Sequence, residues 1–153
     1  MKKNPWIVVA HGTGATVYTV ERPTGPLVSV RTFRNPAGAL KNRDLLADRP
    51  GRAFDSAGTG RHAMSSEVEP VEQEVLRFAQ HLADELRAGR VAREYDALLL
   101  IAGPDFLGQL RAALDDETRA LVSFELDKNL AHEDPKEIRQ RLPERLQARG
   151  AGA

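Results

Sequence analysis

The first third of the chain predicts β-strands, because its apolar residues come in short runs separated by turns. Trp6–Ala10 is a continuous apolar run that is typical of a central strand. Ala15–Glu21 and Leu27–Phe33 are rich in β-branched and aromatic residues and follow short turns that contain glycine or proline. Strands joined by short turns pair antiparallel, so these segments predict an N-terminal antiparallel meander.

The rest of the chain predicts helices that alternate with strands. In Pro70–Ala88, apolar residues recur at the spacing of one buried helix face, and Pro70 suits the first turn of that helix. Glutamates between positions 67 and 74 complement the positive end of its dipole. The predicted buried face comprises Val71, Val75, Phe78, Ala79, Leu82 and Leu86. Downstream we expect a strand at Asp96–Ala102, a helix carrying Phe106, Leu107, Leu110 and Leu114, a helical turn at Asp116–Ala120, a strand at Leu121–Leu126, and a helix from Asp134 to about Leu142.

The order of these elements, β-β-β-loop-α-β-α-β-α, predicts an α/β fold. Its sheet would be mixed, with the meander at one side and later strands joined through helical crossovers. A chain of 153 residues is long enough for one buried core, so we expect a single domain, 1–153. Its core would span about 5–142, with a tail at 143–153, and Asn35–Ala47 fits either a loop or a short helix.

One long segment, Asp48–Met64, fits neither a helix nor a strand, because glycines and a proline interrupt both periods. Glycines leave backbone N–H groups accessible, and arginines bind oxyanions through bidentate hydrogen bonds. The segment is therefore suited to binding an anion or an RNA phosphate. The alternative is a surface loop whose arginines pair with Asp48 and Asp55. The candidate RNA- or anion-binding residues are Arg49, Arg52, Gly58, Gly60, Arg61 and His62, with His62 also a candidate proton donor.

Other polar residues carry weaker signals. His11–Gly14 follows a strand, but a second strand comes next, which favours a hairpin turn over a dinucleotide-binding turn. His11 would lie at the carboxyl end of that first strand and is a second catalytic candidate. Asp105 is predicted to cap a helix. His81 is predicted to lie on a solvated helix face, and His132 in a loop.

Composition narrows the classes of function. Basic and acidic residues number 22 each, so the formal net charge is zero and no overall field attracts nucleic acid or membrane. The chain has no cysteine, which excludes disulfides and thiolate chemistry, and its four histidines lack metal-ligand spacing. We expect no metal, no cofactor, no membrane contact and a cytoplasmic location, with signal-independent export as the open alternative. The oligomeric state is left open.

Three segments taken together resemble one family. They are Trp6–Ala10 with Gly12 and the hairpin, Asp48–Met64, and Tyr95–Leu107 continuing into Phe124–Lys128. They resemble the bacterial host attachment protein family, named for attachment of bacteria to host cells. The most specific part is the pattern of Asp, Arg, Pro, Gly and His at positions 48–62, and the resemblance covers roughly Pro5 to Leu142.

That family is in turn similar to the middle domain of archaeal and eukaryotic class 1 release factors. The similarity implies a ribonuclease-H-like α/β fold, in which a Gly-Gly-Gln loop precedes a long helix and promotes peptidyl-tRNA hydrolysis. Here Gly58, Gly60, Arg61 and His62 precede the helix, and the segment contains no glutamine. His11 stands where the family is expected to carry an acidic residue.

These observations lead to three hypotheses about function. The first is a translation-associated protein that binds tRNA, rRNA or the ribosome through the 49–62 loop without releasing peptide. The second is an attachment or interaction protein whose partner is a protein or a glycan. The third is a small hydrolase that uses His62 or His11. The zero net charge weighs against the first, since RNA-binding domains commonly carry a basic excess.

Overall fold

The computed structural model describes the backbone of residues 4–35 and 60–146, and the side chains of residues 4–35 and 72–146. The strands in these ranges are β1 (Pro5–His11), β2 (Gly14–Thr19), β3 (Val28–Arg34), β4 (Ala97–Ala102) and β5 (Val122–Leu126). The helices are α1 (Gly60–Val91), α2 (Pro104–Ala113), α3 (Asp116–Arg119) and α4 (Pro135–Gln140).

The strands form one mixed sheet in the order β3-β2-β1-β4-β5. Strands β1, β2 and β3 pair antiparallel, which confirms the predicted meander. Strand β4 pairs parallel with both β1 and β5, and such pairs need a crossover connection. Helix α1 lies in the connection from β3 to β4, and α2 and α3 lie in the connection from β4 to β5. The α/β class and the mixed sheet are therefore confirmed.

Apolar side chains cover both faces of the sheet, so the central strands β1 and β4 are buried almost throughout. On one face, Phe78, Leu82 and Leu86 of α1 pack with residues of α2 against alternate residues of the sheet. On the other face, Ile138 of α4 and Leu146, which lies beyond the end of that helix, pack against the remaining alternate residues. Three layers result, with the sheet in the middle.

Helix α1 begins ten residues earlier than the sequence predicts. Its buried face is as predicted for the residues whose side chains are described, but it starts at Gly60, so Pro70 lies inside it. An interior proline removes one backbone hydrogen bond and costs about 3 kcal/mol, which is why the sequence predicts a helix start at Pro70. The first turn carries no acidic residue, so the predicted compensation of the dipole at the helix start is also wrong.

The C-terminal elements agree closely with their predictions. The Asp134 carboxylate accepts a hydrogen bond from the Lys136 backbone N–H at 2.9 Å, and α4 follows from this cap but ends at Gln140. Beyond it, Leu146 is buried and its backbone N–H donates to the Pro23 carbonyl at 2.8 Å. Residues 36–47 lie outside the described ranges. Among the described helices, none has the length and apolar character needed to cross a membrane.

Candidate functional site

The candidate site lies at the carboxyl end of the sheet, the side at which β1, β4 and β5 end. Ala10 of β1 pairs with Ala102 of β4, so His11 and Gly103 leave the sheet side by side. Strand β1 turns back into β2 through Gly12 and Thr13, which confirms the predicted hairpin, whereas β4 continues into α2. In open α/β sheets, the carboxyl ends of parallel strands are where ligands bind.

The His11 ring is held in a defined tautomer by Thr13. The Thr13 backbone N–H donates to His11 Nδ1 at 3.3 Å, and Thr13 Oγ1 lies 2.7 Å from the same nitrogen. A backbone N–H can only donate, so Nδ1 accepts and a neutral ring carries its proton on Nε2. Thr13 Oγ1, at 3.4 Å, is the only acceptor near Nε2 among the described residues, and that distance is long for a hydrogen bond. His11 therefore presents an N–H donor.

His132 faces His11 from the loop between β5 and α4. The two ring centroids are 5.8 Å apart and the ring planes are tilted by 45°. Asn129 shapes this loop, because its side-chain oxygen accepts a hydrogen bond from the Ala131 backbone N–H at 3.1 Å. The loop passes close to Gly103, where a Cβ would lie 4.0 Å from the Asn129 Cβ. His132 itself is exposed, whereas His11 is half-buried.

The electrostatics keep His11 neutral. Burial lowers the pKa of the His11 imidazole below its ordinary value of 6.5, and the charge on protonated His132 lowers it further. The hydrogen bond from the Thr13 N–H acts in the same direction, since protonation of Nδ1 would remove its acceptor. At neutral pH the pair is therefore a neutral donor beside an exposed imidazole.

The turn beneath His11 is fixed to helix α1 by one buried side chain. Asn35 Nδ2 donates to the carbonyls of Gly12 at 3.0 Å and Glu74 at 3.3 Å. The Asn35 backbone N–H donates to the Thr13 carbonyl at 3.0 Å. A Cβ on Gly12 would lie 3.3 Å from Val75, so the helix packs closely against the turn. These contacts give His11 and Thr13 a rigid support.

A family model described as "Protein required for attachment to host cells" matches residues 6–142. The chain belongs to this family. The matched range includes His11, Thr13 and His132 and all of the described strand residues except Pro5. No curated protein matches the sequence. The predicted membership of the host attachment family is thus confirmed, while the relationship to release factors stays a prediction.

The site predicted from the sequence falls mostly outside the described residues. Arg49, Arg52 and Gly58 lie outside the described residues. Gly60, Arg61 and His62, predicted to lie in a loop, are instead the first residues of helix α1, and their side chains are not among those described.

The structure does not bring His62 and His11 together. Val75, on the same helix as His62, contacts the turn beside His11 at Gly12. At a rise of about 1.5 Å per residue, His62 lies about 20 Å along α1 from Val75. The two histidines that do face each other are His11 and His132, a pair that the sequence does not predict.

Two further predictions are settled at the carboxyl end. Asp105 is not a helix cap, because Pro104 occupies the first position of α2 and Gly103 becomes the N-cap, with no side-chain hydrogen bond. Asp105 instead contributes negative charge to the first turn. His81 is exposed on α1, as predicted.

The described side chains contain no group of three or more His, Cys, Asp or Glu arranged to hold a metal ion. We call the cluster of His11, Thr13 and His132 the carboxyl-end site. This site can donate hydrogen bonds, and its imidazoles can gain positive charge as the pH falls. Both properties suit recognition of oxygen atoms on a partner.

Proposed function

We propose that the protein is an interaction protein of the attachment family that binds a protein or glycan group of its partner at the carboxyl-end site. The observation that supports this most directly is the meeting of His11 and His132, which come from nearly opposite ends of the chain. They lie where α/β sheets bind ligands, and His11 adjoins a turn that Asn35 holds against helix α1. Family membership supplies the biological context, attachment to host cells.

The tautomer of His11 favours binding over acid–base catalysis. A general base needs a ring nitrogen whose lone pair is available to the proton that it removes. The lone pair on His11 Nδ1 already accepts from the Thr13 N–H, and Nε2 carries the proton. Hydrolysis by His11 is therefore less well supported than hydrogen-bond donation to a partner.

The test is binding of the labelled full chain to host cells, measured by titration. We expect the double variant His11→Asn/His132→Asn to bind about tenfold more weakly, since a central interface residue contributes at least about 1 kcal/mol. His81→Asn is the matched control, because it changes an exposed histidine on helix α1. Equal binding by the double variant and the wild type would exclude the carboxyl-end site.

The alternative function is a translation-associated protein that binds tRNA, rRNA or the ribosome through the 49–62 segment. The observation that favours it is that α1, a long helix of 32 residues, begins at Gly60, within the last three residues of this segment. The release-factor resemblance implies a long helix at this place. Arg61→Ala should then weaken RNA binding evenly across sequences, and affinity should fall as salt rises. Partner capture that survives nuclease treatment and does not change with salt would argue against this alternative.

The finer fold assignment belongs with these proposals. We propose that the domain is ribonuclease-H-like and similar to the release-factor middle domain. The antiparallel meander β1–β3, followed by β4 and β5 in parallel on helical crossovers, supports this assignment. An experimental structure compared with release-factor middle domains would test it.

A further inference from the structure

We infer that His11 and His132 form an oxyanion-binding site, so that the group recognised at the carboxyl end of the sheet is a carboxylate or a phosphate. The oxyanion inference makes the proposed function more specific. It rests on the proposed function only where it assigns the oxyanion to the attachment partner. The binding site itself follows from the geometry and charge of the described residues.

The first argument is geometric. The two rings are 5.8 Å apart and tilted by 45°, so they are not stacked face to face. His11 presents the Nε2–H donor, because the Thr13 N–H occupies Nδ1. Thr13 contributes a hydroxyl beside the same ring. An oxyanion offers several acceptors about 2.8 Å from such donors, and one anion can accept from more than one of them.

The second argument is electrostatic. Burial and the charge of His132 oppose protonation of His11 and lower its pKa, and no carboxylate among the described residues offsets this effect. The segments that surround the pair carry seven charged residues: Arg34 at the end of β3, Glu74 on α1, Asp105 on α2, Asp127 and Lys128 after β5, and Glu133 and Asp134 beside His132.

Two of these carboxylates act elsewhere. Glu74 pairs with Arg77 at 2.5 Å, and Asp134 adds to the effect of burial in raising the pKa of Tyr18. Within the described residues, no carboxylate contributes to the shift in the His11 pKa, so the repulsion between protonated His11 and His132 is not relieved there. A bound anion would relieve it, so both rings would take up protons more readily when the anion binds. By reciprocity, the anion must then bind more tightly as the pH falls.

A cation is disfavoured by the same contacts. A metal ion needs a ring lone pair from each histidine, and the lone pair of His11 is on Nδ1, where the Thr13 N–H points. Metal binding through Nε2 would force Nδ1 to carry the proton and would break that hydrogen bond. The contacts of His11 thus select an anion over a metal.

The experiment is a titration of the full chain with inorganic phosphate and, separately, with glucuronate, followed by NMR signals of the histidine rings. We expect both His11 and His132 signals to shift. The affinity for glucuronate, whose carboxylate stays ionised in this range, should rise as the pH falls from about 7 to about 6, by up to about tenfold if binding takes up one proton. Stronger binding of phosphate would identify a phosphate as the natural group, and stronger binding of glucuronate a carboxylate.

Variants locate the site. His132→Asn should weaken binding of the preferred anion about tenfold and reduce its pH dependence, whereas His81→Asn should leave both unchanged. Thermal unfolding of each variant verifies that it is folded. Affinity that does not change with pH, signals that respond to Zn²⁺ but not to anions, or unchanged binding by His132→Asn would each overturn the inference.

The outcome is separable from that of the proposed function. If His132→Asn abolishes host-cell binding while no anion shifts the ring signals, the oxyanion inference fails and the interaction function stands. If anions bind as expected but host-cell binding does not depend on His132, the oxyanion site stands and its assignment to attachment fails.

Discussion

At the amino end of the sheet, where β1 and β4 begin, the side chains satisfy one another, whereas at the carboxyl end two histidines present polar atoms to solvent. Trp6 and Tyr95 stack with ring centroids 4.6 Å apart, and the Tyr95 hydroxyl donates to the Leu86 carbonyl. His11 and His132 also face each other, but one is half-buried and the other exposed. Two rings that face each other thus pack in the buried core at one end of the sheet, whereas at the other end they form the proposed recognition site.

The charged groups at the amino end of the sheet are also mostly satisfied by other side chains. At the amino end, Arg90 Nε donates to the buried Thr118 hydroxyl at 3.0 Å, and Asp115 accepts from that hydroxyl at 2.6 Å. Asp96 is an exception, because both of its carboxylate oxygens are buried without a hydrogen-bond partner among the described residues. We therefore expect substitutions at the amino end to change stability, and substitutions at the carboxyl end to change binding.

The largest effect is expected from Trp6→Ala. Trp6 is 3% exposed, and its removal leaves a cavity between β1, α1 and Tyr95. The free energy of unfolding should fall by about 3–5 kcal/mol, as measured by urea denaturation. Trp6→Phe should cost less because part of the ring volume remains. A loss below that of His132→Asn would contradict the division between the two ends.

A smaller loss is expected from Gly89→Ala. A Cβ at this position would lie 2.9 Å from the Trp6 ring and 3.1 Å from Tyr95, both of which are buried. Overpacking of this kind costs about 1–3 kcal/mol. Gly108→Ala on α2 is the matched control, because nothing lies within 4 Å of its Cβ position. Thermal unfolding should show a lower midpoint for the first variant and an unchanged or higher midpoint for the control.

Asp115→Ala should cost about 1 kcal/mol, because Asp115 caps α3 through the Thr118 backbone N–H. The Thr118 hydroxyl is the main cause that lowers the pKa of Asp115 below its ordinary 3.8. The unfolded chain then takes up the proton first, so the stabilisation is present above about pH 4 and is lost as the pH falls below it. Denaturation at neutral and acidic pH should show the variant's deficit shrinking in acid.

The smallest effect is expected from His11. Its folded pKa is lowered, so between that value and 6.5 the unfolded chain binds more protons than the folded chain. The contribution of His11 to stability is therefore complete above pH 6.5 and decreases as the pH falls through that range. His11→Asn should flatten this part of the stability curve. A wild-type curve that rises on acidification there would mean that His11 is stabilised in its charged form.

The sequence predicted elements whose signals are local. The meander follows from short apolar runs and turns, and the α1 face from the spacing of Phe78, Leu82 and Leu86. The start of α1 at Gly60 was missed because Pro70 is a strong local signal that the rest of the helix overrides. The capping role of Asp105 was wrong because Pro104 had already fixed the first helical position.

The pairing of His11 with His132 depends on two distant segments. The predicted order of strands could place both residues at the carboxyl end, since parallel strands end on the same side of a sheet. It could not show that the Asn129 turn brings the loop over Gly103, because that turn depends on one side-chain hydrogen bond. The support that Asn35 gives to the turn could not be predicted from the sequence either, because the partners of its side chain lie 23 and 39 residues away.

Asn35 also determines which parts of the protein open together. Its side-chain amide joins the Gly12 carbonyl in the turn after β1 to the Glu74 carbonyl in α1, so separating the helix from the turn breaks this link. In terms of hydrogen exchange, the turn and this part of the helix then form one cooperative unit. The Asn35 amide proton, donated to Thr13, should exchange only when that unit opens. The ring of His11 is thereby kept in place for as long as the helix remains docked.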